Sequence, residues 1–371
     1  MNDTAISRRH FAHLIGAGTA LAFLRPGISY AKPPVVTAKG TGVVRLSANE
    51  NPYGPSAKAL KAMTDSFSLA CRYPDDHADG LLDALAKMNN VSVDQLLLGD
   101  GSGEILKLSA DAFTGPQAGK LIVADPTFEA IVNHATVKGA EVEKVPLTST
   151  FAHDLARMAA AAKGGLIYVC NPNNPTASIT PKSDLAEFIR TTSPQTMILV
   201  DEAYFHFANT PDYESVIPMV KDHPNLIVAR TFSKIYGMAG LRCGYCVAQK
   251  PAIERLKQQQ PWDSVNCMAL AAAVASVNDP DQVTNGRKLN MDAKTYVTTE
   301  LNKLGYNSIP SEANFIMFDC KRPVVPVIQA MKEKNVEVGR LFPAFPNHMR
   351  LTIGKKSEME SFIDAFKHVT A

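Results

Sequence analysis

The sequence predicts an α/β fold: a mostly parallel seven-stranded sheet flanked by helices, followed by a smaller α+β domain. Three observations predict it. Between residue 80 and about residue 250, short apolar runs alternate with longer helical stretches. The short runs are nearly continuous in Leu, Ile and Val, as strands covered on both faces are. After about residue 251 the alternation gives way to long helical patterning.

Taken in order, the first 31 residues read as an export signal. Ser7-Arg8-Arg9-His10-Phe11 precedes an apolar run from Leu14 to Leu24, and Ser29-Tyr30-Ala31 offers small residues before a cleavage point. The paired arginines match the twin-arginine class, and the apolar run is too short to span a bilayer. Periplasmic location is therefore expected, with the cytoplasm as the alternative. Residues 32–55 read as an extended arm leading to an Asn/Pro/Gly-rich loop. Ser56 reads as the N-cap of a helix running to about Ser68, and Arg72-Tyr73-Pro74-Asp75 as a turn.

A large domain, 56–255, then alternates helices 80–90, 103–113, 128–138, 153–162 and 181–191 with strands 96–98, 121–124, 141–146, 166–170 and 197–200. Strands 226–229 and 242–248 complete the seven. The small domain, 256–371, begins with a helical stretch broken only near Asn278-Asp279-Pro280. Strands 314–318, 336–338 and 349–353 and helices 324–334 and 356–369 follow.

Composition excludes several classes. Hydrophobic content of 46% and charged content of 20% suit a soluble globular chain. With 38 basic and 36 acidic side chains there is no nucleic-acid signature. Cleavage after Ala31 would remove Arg8, Arg9, Arg25 and Asp3 and bring the +2 balance to zero, which gives a membrane surface nothing to attract. Cys243-Gly244-Tyr245-Cys246 falls in a strand-like run. Residues three apart there face opposite sides about 10 Å apart, too far for a disulfide, so no redox or metal site is expected.

In open parallel sheets, ligands sit beyond the carboxyl ends of the strands, and the chemistry-bearing motifs follow strands. Gly99-Asp100-Gly101-Ser102-Gly103 opens a helix and can cradle an anion, or can be a plain turn; its spacing is not that of a dinucleotide site. Asn171-Pro172-Asn173-Asn174-Pro175-Thr176 makes a rigid polar loop whose amides can donate to a cofactor oxygen. Asp201 ends an apolar strand, where a carboxylate calls for a cation or serves as a helix cap; Tyr204 follows it. Thr231-Phe232-Ser233-Lys234 places one lysine among hydroxyls, eight positions before Arg242. Such a lysine can form a Schiff base with an aldehyde cofactor, while the hydroxyls and the arginine hold a phosphate. An aldehyde-binding lysine, a carboxylate for a ring nitrogen and a phosphate cradle together suit pyridoxal 5'-phosphate.

With these motifs the chain resembles the fold-type I pyridoxal-phosphate-dependent aminotransferases of class I/II, and within them the histidinol-phosphate aminotransferases. Ser47 to Pro55, Arg72 to Asp75, Asn171 to Thr176, Val200 to Tyr204, Thr231 to Lys234, Ala239 to Arg242 and Met349 to Gly354 carry the resemblance, which covers about residues 40–370. It implies that Lys234 is the Schiff-base lysine and proton carrier, that Asp201 pairs with the ring nitrogen, and that Asn174 and Tyr204 bind the phenolic oxygen. Ser102, Gly103, Thr231, Ser233 and Arg242 are implied for the phosphate, joined by Tyr73 from the other subunit of a homodimer. Phe128 stands where a stacking tyrosine is usual. Arg350 is implied for the substrate carboxylate or phosphate, Arg340 as a second anion ligand, and Asn49 and Tyr53 within the substrate loop. Ala177 replaces an expected glycine, with no chemical consequence foreseen.

Transamination between an amino donor and a 2-oxo acid is the expected activity. Racemisation or decarboxylation of an amino acid on the same scaffold is the alternative, motivated by the export signal, and a binding module that kept the fold is a third reading.

Overall fold

The structure, a computed structural model, describes residues 42–371. The twin-arginine segment and residues 32–41 of the arm lie outside the described residues.

Seven strands form the central sheet: β2 (Leu96–Gly99), β3 (Leu121–Asp125), β4 (Val142–Pro146), β5 (Leu166–Cys170), β6 (Met197–Asp201), β7 (Leu226–Thr231) and β8 (Gly244–Ala248). Their spatial order is β2-β8-β7-β6-β5-β3-β4. β3 to β7 pair in parallel, while β8 is antiparallel to both β7 and β2. Two antiparallel pairings in a row return β2 to the direction of the parallel set. Six carboxyl ends and the amino end of β8 therefore share one edge, the edge expected to bind ligand.

Every residue of β5, β7 and β8 is buried, which explains their apolar runs; the one charge among them, Arg230, pairs with the equally buried Glu202 at 2.8 Å. The pleat divides these strands between two cores: in β7, Leu226 and Val228 pack on one face and Ile227 and Ala229 on the other. Cys243 and Cys246 likewise fall in different cores.

The helices covering the sheet are α1 (Ala57–Asp65), α2 (Asp75–Asn89), α3 (Gly101–Phe113), α4 (Ala130–Val137), α5 (Leu155–Ala161), α6 (Lys182–Thr191), α7 (Lys250–Lys257) and α8 (Cys267–Val277). Ser56 caps α1, its hydroxyl accepting from the Ala59 amide at 3.2 Å. α2 begins five residues earlier than expected, because Pro74 enters a helix without the N–H that the first turn leaves unpaired. The helical stretch expected after 251 breaks a second time at 258–266, where Pro261 and Asp263, at φ +55°, prevent continuation.

The smaller unit holds α9 (Pro280–Lys303), β9 (Phe315–Asp319), α10 (Val324–Glu333), β10 (Val336–Val338), β11 (His348–Thr352) and α11 (Lys356–Thr370). Its core gathers Val297, Phe318, Phe362 and Leu46. The expected boundary at 256 falls too early: Ala269, Leu270 and Ala273 of α8 pack into the central-sheet core. The expected arm, 32–55, is in part a strand. β1 (Val44–Leu46) pairs in parallel with β10, while β9 pairs antiparallel with β11. That pairing starts the described residues in the small unit and carries residues 47–55 across to the ligand edge. Among the described residues no helix is long and apolar enough to cross a membrane.

Candidate active site

A cavity of about 310 Å³ opens at the shared strand edge. Its first corner lies between β2 and β8. Gly101 sits at φ +73°, and a Cβ there would come within 2.4 Å of Arg242 Nη2. A Cβ on Gly244 would come within 2.3 Å of the Ser102 amide nitrogen. Glycine at both positions is what lets the α3 amino terminus, β8 and the Arg242 guanidinium close on one another. Arg242 is held by the Ala239 carbonyl at 3.0 Å and the Asp100 carbonyl at 3.2 Å. Opposite, Thr231 Oγ1 donates to Ser233 Oγ at 2.9 Å and accepts from the Ser233 amide at 3.1 Å. Helix-terminal amides, two hydroxyls and a guanidinium converging on one cavity make an anion site. Gly101→Ala should weaken cofactor affinity about 10- to 100-fold, measured by titration of the cofactor into the apo protein, with helix content kept.

The second corner holds Lys234, just past β7. Its Nζ donates to the Asn49 carbonyl at 3.0 Å and to the Ala48 carbonyl at 3.4 Å. Burial lowers its pKa to about 8, and Arg350 adds to the effect against the pull of Glu50 and Asp201. A lysine so shifted has far more neutral amine near neutrality than a surface lysine. Acylation of Lys234 in the apo protein, followed by peptide mass, should therefore rise through about pH 8, well below the rise of the exposed lysines.

Tyr204 faces Lys234, with Nζ 5.6 Å from its ring centroid. The phenolic oxygen accepts from Asn49 Nδ2 at 3.1 Å and from Asn174 Nδ2 at 3.4 Å. Its lone pairs are thus occupied and its hydrogen is left to donate. Burial raises the phenol's pKa, so it keeps that hydrogen. Asn49 is set for this by a left-handed backbone, φ +55°, and by Thr352, whose hydroxyl accepts from its amide at 2.9 Å. Thr352 belongs to β11, so the small unit fixes the donor.

Asp201 ends β6. One carboxylate oxygen accepts from Tyr168 OH at 2.9 Å and the other from the Ala203 amide at 3.1 Å. Both donors are neutral. Burial raises its pKa to about 6, against the lowering effect of those two bonds. A buried carboxylate that lacks a cation is what a protonated ring nitrogen would complete.

The third corner comes from the small unit. Arg350 on β11 donates to Asn174 Oδ1 at 2.8 Å and to the Ser47 carbonyl at 2.6 Å. Its Nε is buried with no partner among the described residues. Burial lowers its pKa, with the neighbouring Arg340 adding to this. Arg340 lines the same cavity but forms an ion pair with Glu129 and lies over the Phe342 ring.

The cavity thus brings together Lys234, Asp201, Tyr204, Ser102, Gly103, Phe128, Asn174, Thr231, Ser233, Arg242, Asn49, Arg340 and Arg350. It does not bring Tyr53 or Tyr73. Tyr53 lies outside it, turned toward Lys355 by the bend at Gly54, φ +69°. Tyr73 is 79% exposed.

Of the asparagines in the 171–174 loop only Asn174 faces the cavity. Asn171 binds the Thr180 backbone, and Asn173 accepts from Thr127 Oγ1. Ala177 has a physical consequence after all. It sits at φ +60° and is fully buried, so strain of about 1–2 kcal/mol is largely offset by a buried methyl worth about 0.8 kcal/mol and by the lower chain entropy of alanine.

Sequence reasoning missed Tyr168, Glu129 and Phe342. Tyr168 had a signal: a phenol inside a fully buried strand must find a hydrogen-bond partner. Glu129 and Phe342 had only their places beside Phe128 and Arg340, and tertiary folding alone brings those two segments to one cavity.

The residues present fit pyridoxal phosphate. The glycine-lined anion corner suits its phosphate, the uncompensated Asp201 its ring nitrogen, the free Tyr204 hydrogen its phenolic oxygen and the partly neutral Lys234 its aldehyde.

Comparison with known proteins agrees. The family described as "Aminotransferase class I and II" matches residues 41–366. A histidinol-phosphate aminotransferase of Symbiobacterium thermophilum is 39% identical over 329 residues, covering 88% of this chain and 90% of that protein. One from Moorella thermoacetica is 38% identical over 334 residues, covering 89% and 86%. A solved histidinol-phosphate aminotransferase of Sinorhizobium meliloti, in complex with pyridoxal-5'-phosphate, shares the fold at a TM-score of 0.83 and 24% identity, over 88% of this chain and 91% of that one.

Proposed function

Because the chain belongs to the class I and II aminotransferases, we propose that it transfers the amino group of an α-amino acid, or of an amine resembling histidinol phosphate, to a 2-oxo acid. The enzyme is pyridoxal-phosphate-dependent. The observation that carries the reading is Lys234, a half-buried lysine with a lowered pKa in one cavity with Asp201 and the anion corner.

Bound pyridoxal phosphate supplies an aldehyde for the donor amine and a ring that takes up the electron pair left when the donor's Cα–H bond breaks. The chain's residues do the rest. Arg242, Ser233, Thr231 and the α3 amino terminus hold the phosphate. Asp201 holds its negative charge against the ring nitrogen, kept in place by Tyr168 and the Ala203 amide. Tyr204 and Asn174 present hydrogens to the phenolic oxygen. Lys234 Nζ, held near the backbone of 48–49, takes the proton from the donor's Cα. Arg350 receives the donor's carboxylate, since its buried Nε awaits an acceptor.

The test is a half-reaction. Single donors, including histidinol phosphate and L- and D-amino acids, are added to the holoenzyme without a 2-oxo acid. The absorbance of the aldehyde form should give way to that of the amine form. Exchange of the α-hydrogen with loss of optical activity, and no amine form, would replace transamination by racemisation; release of carbon dioxide would point to decarboxylation.

Two further parts belong to this proposal. The Ser7–Ala31 segment directs twin-arginine export of the folded enzyme; detection of only the uncleaved chain, in the cytoplasmic fraction, would refute it. The working unit is a homodimer in which Tyr73 reaches the neighbouring site. Exposed Tyr73, Phe67, Leu60 and Tyr53, clustered in sequence around α1, support that reading. A sedimentation mass of one chain would overturn it.

A further inference from the structure

We propose that Glu129 sets the donor class: its carboxylate occupies the rim arginine, so the cavity selects amino acids whose far end is neutral or cationic and disfavours those ending in phosphate or a second carboxylate. The inference deepens the transaminase reading and rests on it.

The cavity presents two arginines with opposite states. Arg350 is deep, and its Nε has no partner among the described residues. Arg340 is at the rim and already satisfied: it pairs with Glu129 and spends Nη1 on the Leu341 carbonyl at 3.0 Å. The two guanidiniums flank one ring, with Arg340 4.5 Å and Arg350 5.2 Å from the Phe342 centroid.

Glu129 comes from the other side of the cavity, at the entry to α4, where its carbonyl accepts from the Asn133 amide at 3.1 Å. The backbone fixes it there, next to Phe128, and the carboxylate and Arg340 meet across 211 residues of chain. With about half of each side chain exposed, the pair adds little stability. Its consequence is charge placement. A donor's own carboxylate goes to Arg350, the cation that lacks an acceptor. A second anion must displace Glu129 from Arg340 and then lie beside a carboxylate. A neutral side chain meets only the Phe128 and Phe342 rings, and a cationic one meets Glu129 favourably. Selection here works by repulsion as much as by attraction.

The test compares the parent and Glu129→Gln holoenzymes with L-phenylalanine, L-glutamate and O-phospho-L-serine, reading kcat and KM separately. The ratio of KM for phosphate-ended donors to KM for L-phenylalanine should fall about tenfold in Glu129→Gln, and kcat should follow much less. An unchanged ratio, or a parent that already prefers the phosphate-ended donors, would overturn the inference. Binding of inorganic phosphate, followed through the cofactor's absorbance, needs no turnover. Glu129→Gln should tighten it about tenfold, and the gain should vanish when Arg340→Ala is added. No gain, or a gain that survives Arg340→Ala, would also overturn it. Failure of every donor in the half-reaction with phosphate binding as expected would refute transamination and leave the role of Glu129 standing.

Discussion

Lys234→Ala should lower kcat by about ten-thousandfold or more, because in the proposed mechanism it removes both the amine that joins the cofactor and the group that takes the donor's Cα proton. Residual activity within about tenfold of the parent would end every enzymatic reading that depends on this lysine. The loss should not come from misfolding. Lys234 is half-buried, and the desolvation of its amine lowers its pKa to about 8, so holding it charged at pH 7 opposes folding. Apo Lys234→Ala should therefore melt no lower than the apo parent at pH 7. The sign follows from proton binding. With its folded pKa below its unfolded one, Lys234 makes the parent gain stability as pH rises through 8 toward 10.5, and the alanine variant lacks that gain. Equal slopes above pH 8 would show that the amine is not buried in solution.

Asp201→Asn should cost about 100- to 1000-fold in kcat/KM while the shape of the site stays intact. Asparagine keeps an oxygen for Tyr168 OH but carries no charge for the ring nitrogen. Cofactor binding should weaken less than catalysis, because the anion corner around Arg242 is untouched. The apo protein offers an independent readout. The folded pKa of Asp201, about 6, lies above its ordinary value, so the folded state binds the extra proton. Stability from that proton is complete at low pH and is lost as pH rises from about 4 through 6. His153, lowered by burial to about 4, and His206, lowered to about 3, act in the opposite direction over an overlapping range. The difference in melting temperature between the apo parent and apo Asp201→Asn cancels the histidines. That difference should move against the parent as pH rises through 6. A flat difference would mean that Asp201 already has a cation.

Both predictions rest on burial that no single motif reports. Asp201 belongs to a legible strand end, but its partner Tyr168 lies on the neighbouring strand, 33 residues away. Lys234 belongs to a legible loop, yet its pKa is set by burial and by Arg350 from the small unit, and its amine is held by the 48–49 backbone. The same loop runs on to Gly54, which packs against Gly237 so closely that a Cβ there would come within 2.2 Å of the Gly54 carbonyl oxygen.

By itself the sequence determined the sheet, its mostly parallel character and the strand ends that carry the proposed cofactor residues. Local physics decides those features. Unbroken Leu/Ile/Val runs stay in strands because both faces are covered, and glycines and hydroxyls after a strand sit where phosphate is held. Only the tertiary structure decided where the units divide and which polar groups meet. α8 joined the large core because its Ala269, Leu270 and Ala273 found the central sheet, which helical periodicity cannot show. The substrate end was decided by long-range contact alone. Tyr53 turned away from the cavity, Arg340 met Glu129 and Arg350 met Asn174, over separations of 211 and 176 residues for the two pairs. Charge pairing across such distances depends on how β10, β11 and the β3–α4 connection are brought together, and short-range residue patterns carry no record of that closure.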